Sequence, residues 1–138
     1  MKRILSILLC VAMMLALAAC GTAHDQGGDS LVPVKDGQSV GSGSRTFPLE
    51  IVDGEGNSVK ITVSTNKETV GEALLELGLV EGTQGDYGLY IKVVNGIVAD
   101  YDIDATYWAF YINGEYAMTS TEQTPIAEGD SYLLKVEG

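Results

Sequence analysis

The chain has 138 residues, of which 46% are hydrophobic and 20% charged, and its formal net charge is −11. This length allows one domain with additional terminal segments. So acidic a chain lacks the clustered Lys and Arg that a phosphate backbone requires, which excludes nucleic-acid binding. Its two Cys and one His are too few for an ordinary thiolate or imidazole metal cluster.

The N-terminus has the pattern of an export signal. Two basic residues, Lys2 and Arg3, precede an uncharged apolar run over residues 4–19, as in a secretory signal peptide. The run is shorter than the roughly 20 apolar residues that span a bilayer. It closes on Leu-Ala-Ala-Cys, which resembles the bacterial lipobox. We therefore expect cleavage after residue 19 and lipidation of Cys20; an ordinary secretory signal, or a buried apolar helix ending in Cys, is the alternative.

A diacylated Cys20 would hold the protein on the outer side of a bacterial cell membrane, because two acyl chains give stable attachment. The rest of residues 20–46 is rich in Gly and Ser and holds only scattered apolar side chains. Such a segment buries too little surface to offset its ordering entropy, so the sequence predicts a flexible linker here. The only His, His24, lies in this segment, where we expect it to be solvated.

The folded domain is predicted over residues 47–138. Apolar residues alternate with polar ones on both sides of the turn sequence Asp-Gly-Glu-Gly-Asn at 53–57, which predicts an antiparallel hairpin. Thr69 and Glu72 then form the Thr-x-x-Glu pattern of a capping box. A short helix with an apolar face at 70–77 should follow and end at a glycine.

The second half of the domain reads as strands and turns. Two Asn-Gly pairs, Asn95-Gly96 and Asn113-Gly114, each join apolar segments and predict tight hairpin turns. In the strand at 107–112, Trp108 and Phe110 share one face, so we expect a central strand covered at least partly on both faces. A last alternating strand follows at 132–137. Hairpin, helix and further strands in this order predict a β-grasp-like α+β fold, with antiparallel hairpins covered by one short helix.

Two motifs carry a family resemblance: Val-Asn-Gly-Ile-Val-Ala-Asp-Tyr at 94–101 and Tyr-Trp-Ala-Phe-Tyr-Ile-Asn-Gly-Glu-Tyr-Ala at 107–117. They resemble the domain family of unknown function that is grouped with the C-terminal domain of transcobalamin, and the resemblance covers essentially residues 47–138. In transcobalamin this domain packs over cobalamin against a separate helical barrel. The resemblance implies a domain that binds a soluble ligand, with a corrinoid as the first candidate, although this chain has no helical domain.

The aromatic residues around the two hairpins are the candidate ligand-binding residues. Aromatic faces with polar tips suit flat or sugar-like ligands, and the alternative is that Trp108 fills the core while the tyrosines cover sheet edges. A domain of this size buries only about 60 to 65% of its unfolded surface, so any ligand should bind at a surface groove or in a partner's cleft. The predicted ligand-binding residues are Tyr101, Tyr107, Trp108, Tyr111 and Asn113.

Three carboxylates alternate at Asp100, Asp102 and Asp104. They could converge on Ca²⁺ if the segment formed a loop, but Ala105 stands where an EF-hand requires Gly, and a solvated acidic loop is the ordinary interpretation. The sequence contains no Gly-rich phosphate loop and no imidazole near a Ser nucleophile. We therefore expect no enzyme activity, no cofactor and no metal site.

Two classes of function stay open. The first is a membrane-anchored binding protein that captures a small ligand, such as a corrinoid, and delivers it to a transporter. The second is a surface module for protein interaction or adhesion, which would bind a partner by strand addition and no small molecule.

Overall fold

A computed structural model describes residues 31–138. Helix α1 spans Val70–Glu76, α2 spans Tyr101–Asp104, and a 3-10 helix spans Thr121–Gln123. The strands are β1 Ser39–Gly41, β2 Arg45–Val52, β3 Ser58–Thr65, β4 Val80–Gly85, β5 Gly88–Val94, β6 Ile97–Val98, β7 Tyr107–Ile112, β8 Glu115–Tyr116 and β9 Tyr132–Glu137.

The strands form two sheets. The larger sheet has the order β1-β3-β2-β9-β7-β8 and the smaller has the order β4-β5-β6. Hairpin neighbours are antiparallel, but β1 runs parallel to β3, and β2 runs parallel to β9. The first hairpin and the last strand therefore lie side by side at the centre of the larger sheet. The predicted α+β class, with antiparallel hairpins covered by one short helix, is confirmed.

One hydrophobic core lies between the larger sheet, the smaller sheet and α1. Phe47, Leu49 and Ile51 alternate inward along β2 and are each 1% exposed, as the period of two predicts. The ring of Tyr132 meets Phe47 edge-on at 5.3 Å and stacks on Phe110 at 6.0 Å. These contacts tie β2, β9 and β7 together on the inner face.

Both predicted Asn-Gly turns are present. Asn95 and Asn113 each have φ of 52° and are followed by glycines with φ of 76° and 82°, as type I′ turns require. The second turn joins β7 to the two-residue β8, so β7 lies next to the edge of the sheet. The expectation of a central strand is wrong in this respect. Its two faces are nevertheless both covered, because the neighbours Trp108 and Ala109 are both buried.

Helix α1 begins and ends where the sequence predicts. The backbone N–H of Glu72 donates to Thr69 Oγ1 at 3.3 Å, and the N–H of Thr69 donates to Glu72 Oε2 at 3.4 Å. Gly78 follows in the left-handed region with φ of 67°. The helix buries Val70, Ala73 and Leu74, so its apolar face packs on the core.

The smaller sheet contains a strand that the sequence pattern does not indicate. Residues 80–85 form β4, which pairs with β5 through a bulge between Glu81 and Gly82. Gly82 approaches the carbonyl of Tyr90 so closely that an added Cβ would lie 2.0 Å from that oxygen. The bulge and the glycine replace the alternating apolar residues that usually mark a strand.

The predicted flexible linker is ordered over part of its length, which corrects the predicted domain boundary at residue 47. Val34 and Val40 are 3% and 4% exposed and belong to the core, and β1 pairs with β3. The Asn95 side chain accepts a hydrogen bond from the N–H of Val34 at 2.7 Å. The folded domain therefore begins before residue 34, because two valines within a Gly- and Ser-rich segment reach the core.

The predicted signal peptide, Cys20, His24 and the first part of the predicted linker lie outside the described residues. From residue 31 onward, no helix has the length and apolar character needed to cross a membrane.

Candidate ligand-binding site

A surface cleft of about 490 Å³ lies between the two sheets. Residues 85–91, at the β4–β5 turn, form one wall. The opposite wall comes from β7 and from the segment at 116–121 that follows β8. Because β8 is only two residues long, no strand of residues 31–138 pairs with the first half of β7 on this side. The short β8 thus leaves the cleft open beside β7.

Apolar side chains form the inner surface of the cleft. Leu89 and Ile91 alternate inward along β5, and Phe110 faces them from β7; each of the three is 8% exposed. Trp108 lies on the same face of β7 as Phe110 and is also 8% exposed. The cleft therefore offers a mostly apolar surface of the kind that buries the body of a small ligand.

Three buried polar atoms in this lining have no hydrogen-bond partner among residues 31–138. They are Trp108 Nε1, Ser120 Oγ and Thr121 Oγ1. Three other surface clefts, of 360 to 560 Å³, contain none of these residues. A buried polar group without a partner costs about 1–3 kcal/mol, and each of these atoms exposes less than 1 Å², so the three atoms lie beneath the surface of the cleft.

The segment that carries Ser120 and Thr121 is held in place by its own hydrogen bonds. Thr124 Oγ1 donates to the carbonyl of Ser120 at 2.9 Å. Gln84 Nε2, on β4, donates to Glu122 Oε1 at 2.9 Å, which connects the segment to the smaller sheet. The loop that carries the two hydroxyl groups is therefore held in place by hydrogen bonds.

The rim of the cleft is aromatic and acidic. Tyr87, Tyr90 and Tyr116 are 88%, 42% and 55% exposed. Asp86 is the only charged residue in the lining. Lys92 lies 5.8 Å from the ring centroid of Tyr90, but its ammonium is paired with Asp100 at 3.3 Å. No free cationic group of the described chain therefore faces the cleft.

The structure places the five predicted binding residues at four different locations. Trp108 and Tyr107 line the cleft. Tyr101 is 59% exposed on α2, outside the lining. Asn113 lies in the β7–β8 turn, where its side chain donates to Asp130 Oδ1 at 2.8 Å. In that position Asn113 stabilises the turn rather than facing the cleft.

Tyr111, the fifth predicted residue, belongs to a polar cluster on the outer face of the sheet. Its hydroxyl donates to Glu137 Oε1, and its ring meets that of Tyr116 edge-on at 5.6 Å. The hydrogen bond to Glu137 and, next, burial raise the pKa of Tyr111 to about 12. Burial and the Glu137 charge also raise the pKa of Tyr107. Both phenols are therefore neutral at physiological pH.

The alternating carboxylates do not converge on a common point. Asp100 caps α2 by accepting from the N–H of Asp102 at 3.1 Å, and Asp104 accepts from Thr106. The Thr106 hydroxyl also donates to Asp104, and this side-chain bond, followed by the backbone bond, lowers the pKa of Asp104. Within residues 31–138, no group of three His, Cys, Asp or Glu residues could hold a metal ion.

The residues that sequence reasoning missed are Ser120, Thr121 and Tyr87. A Ser-Thr pair in a polar segment carries no pattern that separates a buried hydroxyl from a solvated one. One sequence signal could have indicated the cleft: the Asn-Gly turn at 113–114 is followed by only two residues suited to a strand. A strand this short leaves the neighbouring edge of β7 exposed.

The comparisons with known proteins cover this folded region. The model of a family described as Domain of unknown function (DUF4430) matches residues 67–138. The crystal structure of a candidate metal binding protein from Ruminococcus gnavus ATCC 29149 is 30% identical, with a TM-score of 0.64 over 68% of this chain and 97% of that chain. Haptocorrin in complex with Cbi is 16% identical, with a TM-score of 0.46 over 71% of this chain and 26% of that chain. No curated protein matches the chain.

Proposed function

This chain belongs to the family described as Domain of unknown function (DUF4430), and on that premise we propose that it is a lipid-anchored, extracytoplasmic binding protein that captures a small ligand in the cleft beside β7. The signal-peptide pattern at residues 1–19 and the lipobox ending at Cys20 support the anchor and the location. The protein would hold its ligand without chemical conversion and deliver it to a transporter in the same membrane.

The observation that carries this proposal is the open cleft between the two sheets, which is lined mainly by apolar and aromatic side chains. Its volume of about 490 Å³ lies within the roughly 300–1,000 Å³ that is usual for small-molecule sites. An apolar surface with a few polar groups is also the usual composition of such sites.

A corrinoid is the first ligand to test, because the motifs at 94–101 and 107–117 resemble the transcobalamin C-terminal family. The name of the Ruminococcus gnavus relative would favour a metal ion instead. The described residues contain no group of three or more His, Cys, Asp or Glu side chains that could hold a metal ion, and the lining of the cleft is mostly apolar. These features support an organic ligand over a bare metal ion.

The test uses residues 20–138 carrying Cys20→Ser, so that the chain remains soluble without its lipid. Cobinamide and cobalamin are titrated while the fluorescence of Trp108, the only Trp in the chain, and the corrin absorbance are recorded. We expect saturable changes in both signals. Tyr90→Ala, in the lining of the cleft, should weaken binding, whereas the matched change Tyr101→Ala, at an exposed residue outside the lining, should not.

A second candidate function is a protein-interaction module, favoured by the unpaired side of β7 next to the cleft. A strand from a partner could add to this edge through backbone hydrogen bonds. Cross-linking in intact cells would then capture a partner at β7 or β8, and neither corrinoid would change the Trp108 fluorescence. That combination of results would replace ligand capture with protein binding as the function.

A further inference from the structure

Resting on the proposed function, we infer the class of ligand that the cleft takes: a short, extended peptide with basic side chains, which pairs as an added strand with the edge of β7. The backbone of β7 gives the first reason. The N–H of Ala117 donates to the carbonyl of Phe110 at 2.9 Å, so Phe110 directs its backbone groups to the β8 side. Because this direction alternates along a strand, the N–H and C=O of Trp108 point to the same side.

The chain itself leaves the edge beside Trp108 without a strand. β8 pairs only with Tyr111 and Ile112, and the chain then leaves the edge, with Met118 92% exposed. Within the described part of the chain, β9 is the only strand that pairs with residues 107–109. In an antiparallel pair, two opposite residues exchange both of their backbone hydrogen bonds. A peptide residue opposite Trp108 would therefore bond with both of its backbone groups.

The other sheet edges carry features that resist strand addition, whereas this part of β7 does not. Strand β1 is three residues long and ends at Gly41, which has φ of 79°. Strand β6 has two residues, and β4 has a bulge between Glu81 and Gly82. Short, bulged and charged edges disfavour pairing. Residues 107–109 are Tyr-Trp-Ala, without charge or Pro, and their register with β9 is uninterrupted, so this edge suits an added strand.

The cleft determines which side chains of the peptide face inward. Residues directly opposite each other in a sheet share one face, so the peptide side chain opposite Trp108 enters the cleft. There it meets Leu89 and Ile91, the inner residues of β5. Its two neighbours in the peptide point to the other face of the sheet, away from the cleft. The ligand therefore has an apolar residue at this position and polar residues on both sides of it.

The charges near this edge favour basic side chains at the flanking positions. Asp86 is the only charged residue in the lining of the cleft, and Asp104 lies shortly before β7. On β9, Glu137 and one cation, Lys135, lie opposite residues of β7. The net charge of −11 attracts cationic ligands over a longer range. A second copy of the chain carries the same charge and is repelled, which favours a free basic peptide over self-association.

The test uses residues 20–138 with Cys20→Ser, labelled with ¹⁵N in Trp alone. Because Trp108 is the only Trp, the spectrum contains one backbone amide signal and one indole signal. The probe is acetyl-Lys-Val-Lys-Val-Lys-amide, which contains no aromatic residue. We expect saturable binding with a Kd of about millimolar at low ionic strength. Exchange of the Trp108 backbone amide with D₂O should slow at least fivefold at saturation, because a peptide carbonyl accepts from this N–H.

Two matched peptides separate charge from backbone pairing. Acetyl-Glu-Val-Glu-Val-Glu-amide keeps the alternation but reverses the charge, and it should bind at least tenfold more weakly. The basic peptide with both valines N-methylated keeps its side chains but cannot donate to the Trp108 carbonyl. It should bind at least fivefold more weakly, which corresponds to the loss of one hydrogen bond.

Two variants of the protein test where the charge acts. Asp86→Asn should weaken the basic peptide by about two- to threefold, because it removes the carboxylate of the cleft. The matched change Glu128→Gln, at an exposed residue that lines a different cleft, should leave the Kd unchanged. Both residues are exposed, so neither change should disturb the fold. Equal effects of the two variants would overturn the contribution of the cleft to charge recognition.

The remaining outcomes each overturn a stated part of the inference. Equal or tighter binding of the acidic peptide would overturn the basic class. Equal binding of the N-methylated peptide, or binding without slower exchange of the Trp108 amide, would overturn pairing with β7. If exchange of this amide slows in the free protein as the protein concentration rises, a second copy occupies the edge and the peptide does not.

Two further measurements separate this inference from the proposed function and from its alternative. If cobinamide binds and the basic peptide does not, the ligand class is wrong and the proposed function stands; if neither binds, both fail. A photo-cross-linking amino acid in place of Met118, in intact cells, should capture short peptides. Capture of a protein instead would assign this edge to protein interaction and overturn the free peptide as the ligand.

Discussion

At the scale of single residues, the carboxylate of Glu137 raises the pKa of two phenols, Tyr107 and Tyr111, on the outer face of β7 and β9. The Tyr111 hydroxyl donates to Glu137, and the Tyr107 hydroxyl lies 3.5 Å from the other carboxylate oxygen. Neutral phenols are donors, so they stabilise the charged carboxylate, and the carboxylate in turn disfavours the phenolates. The cluster therefore links β7 to β9 through side-chain hydrogen bonds.

The hydrogen bond between Tyr111 and Glu137 predicts that the stability of the fold depends on pH. The pKa of Tyr111 in the folded protein is about 12, above its ordinary value of about 10, so folding favours the protonated phenol. Its contribution to stability is full below pH 10 and is lost as the pH rises through about 12. Difference absorbance of phenolate between the wild type and Tyr111→Phe should show one group titrating near pH 12.

The matched change is Glu137→Gln, which removes the charge but keeps the size of the side chain. We expect it to lower the pKa of Tyr111 towards 10 and to shift the alkaline loss of stability to lower pH. An unchanged Tyr111 titration in Glu137→Gln would show that burial alone, rather than the carboxylate, controls this phenol.

At the scale of elements, the first helix depends on a close contact with the 3-10 helix. A Cβ added to Gly71 would lie 2.5 Å from the backbone nitrogen of Glu122. Ala normally improves an exposed helix by about 1 kcal/mol over Gly, but here the contact is with backbone that cannot move aside cheaply. We expect Gly71→Ala to lower the free energy of unfolding by about 1–3 kcal/mol, measured by urea unfolding with Trp108 fluorescence.

Gly54→Ala is the control for this change, because its added Cβ would meet only Val136 Cγ1 at an ordinary 3.6 Å. Its unfolding midpoint should remain close to that of the wild type. Since Gly71 contacts the segment that carries Thr121, Gly71→Ala should also disturb the cleft. A stabilised Gly71→Ala protein would mean that helix propensity outweighs the contact.

The short strand β1 is the second element with a testable role. Val40 is 4% exposed in the core, although it lies in a Gly- and Ser-rich segment. Val40→Ala should lower the free energy of unfolding by about 2 kcal/mol, from lost apolar burial and an incompletely closed cavity. The control Val98→Ala, at a residue 58% exposed, should have an effect within about 0.5 kcal/mol. If both variants lose the same free energy of unfolding, Val40 does not contribute to the core, and its segment belongs to the linker as first predicted.

Sequence reasoning predicted the elements that local chemistry determines. Both Asn-Gly turns and the Thr69–Glu72 capping box were predicted because their backbone geometry depends on a few adjacent residues. The parallel pairing of β2 with β9 was not predicted, because it joins residues more than 80 positions apart and no local pattern encodes it. Strand β4 was missed because its bulge and glycines interrupt the alternation.

The candidate site was predicted only in part for the same reason. Trp108 and Tyr107 stood out because aromatic residues near hairpins are a visible pattern, and both line the cleft. Ser120 and Thr121 become notable only when tertiary packing buries their hydroxyls without partners. Tyr101, Tyr111 and Asn113 lie in the same region of the sequence, but none of them lines the cleft, because they stand on α2, on the outer face of β7 and in the β7–β8 turn.

At the scale of the whole molecule, the proposal joins an acidic binding domain to a lipid anchor. The net charge of −11 disfavours direct adhesion of the domain to an anionic membrane surface. Attachment should therefore depend on acyl chains at Cys20 rather than on the folded surface. The second Cys of the chain, Cys10, lies inside the predicted signal peptide and offers a matched control.

Expression of the full chain in a bacterium fed with labelled palmitate tests this dependence. The wild type and Cys10→Ser should carry label and sediment with the membrane, because lipidation requires only the thiol that follows the cleavage site. Cys20→Ser should lose the label and should no longer behave as a lipoprotein in detergent extraction. Label on Cys20→Ser would place the acyl chain on another residue, and absence of label from the wild type would contradict the proposed lipid anchor.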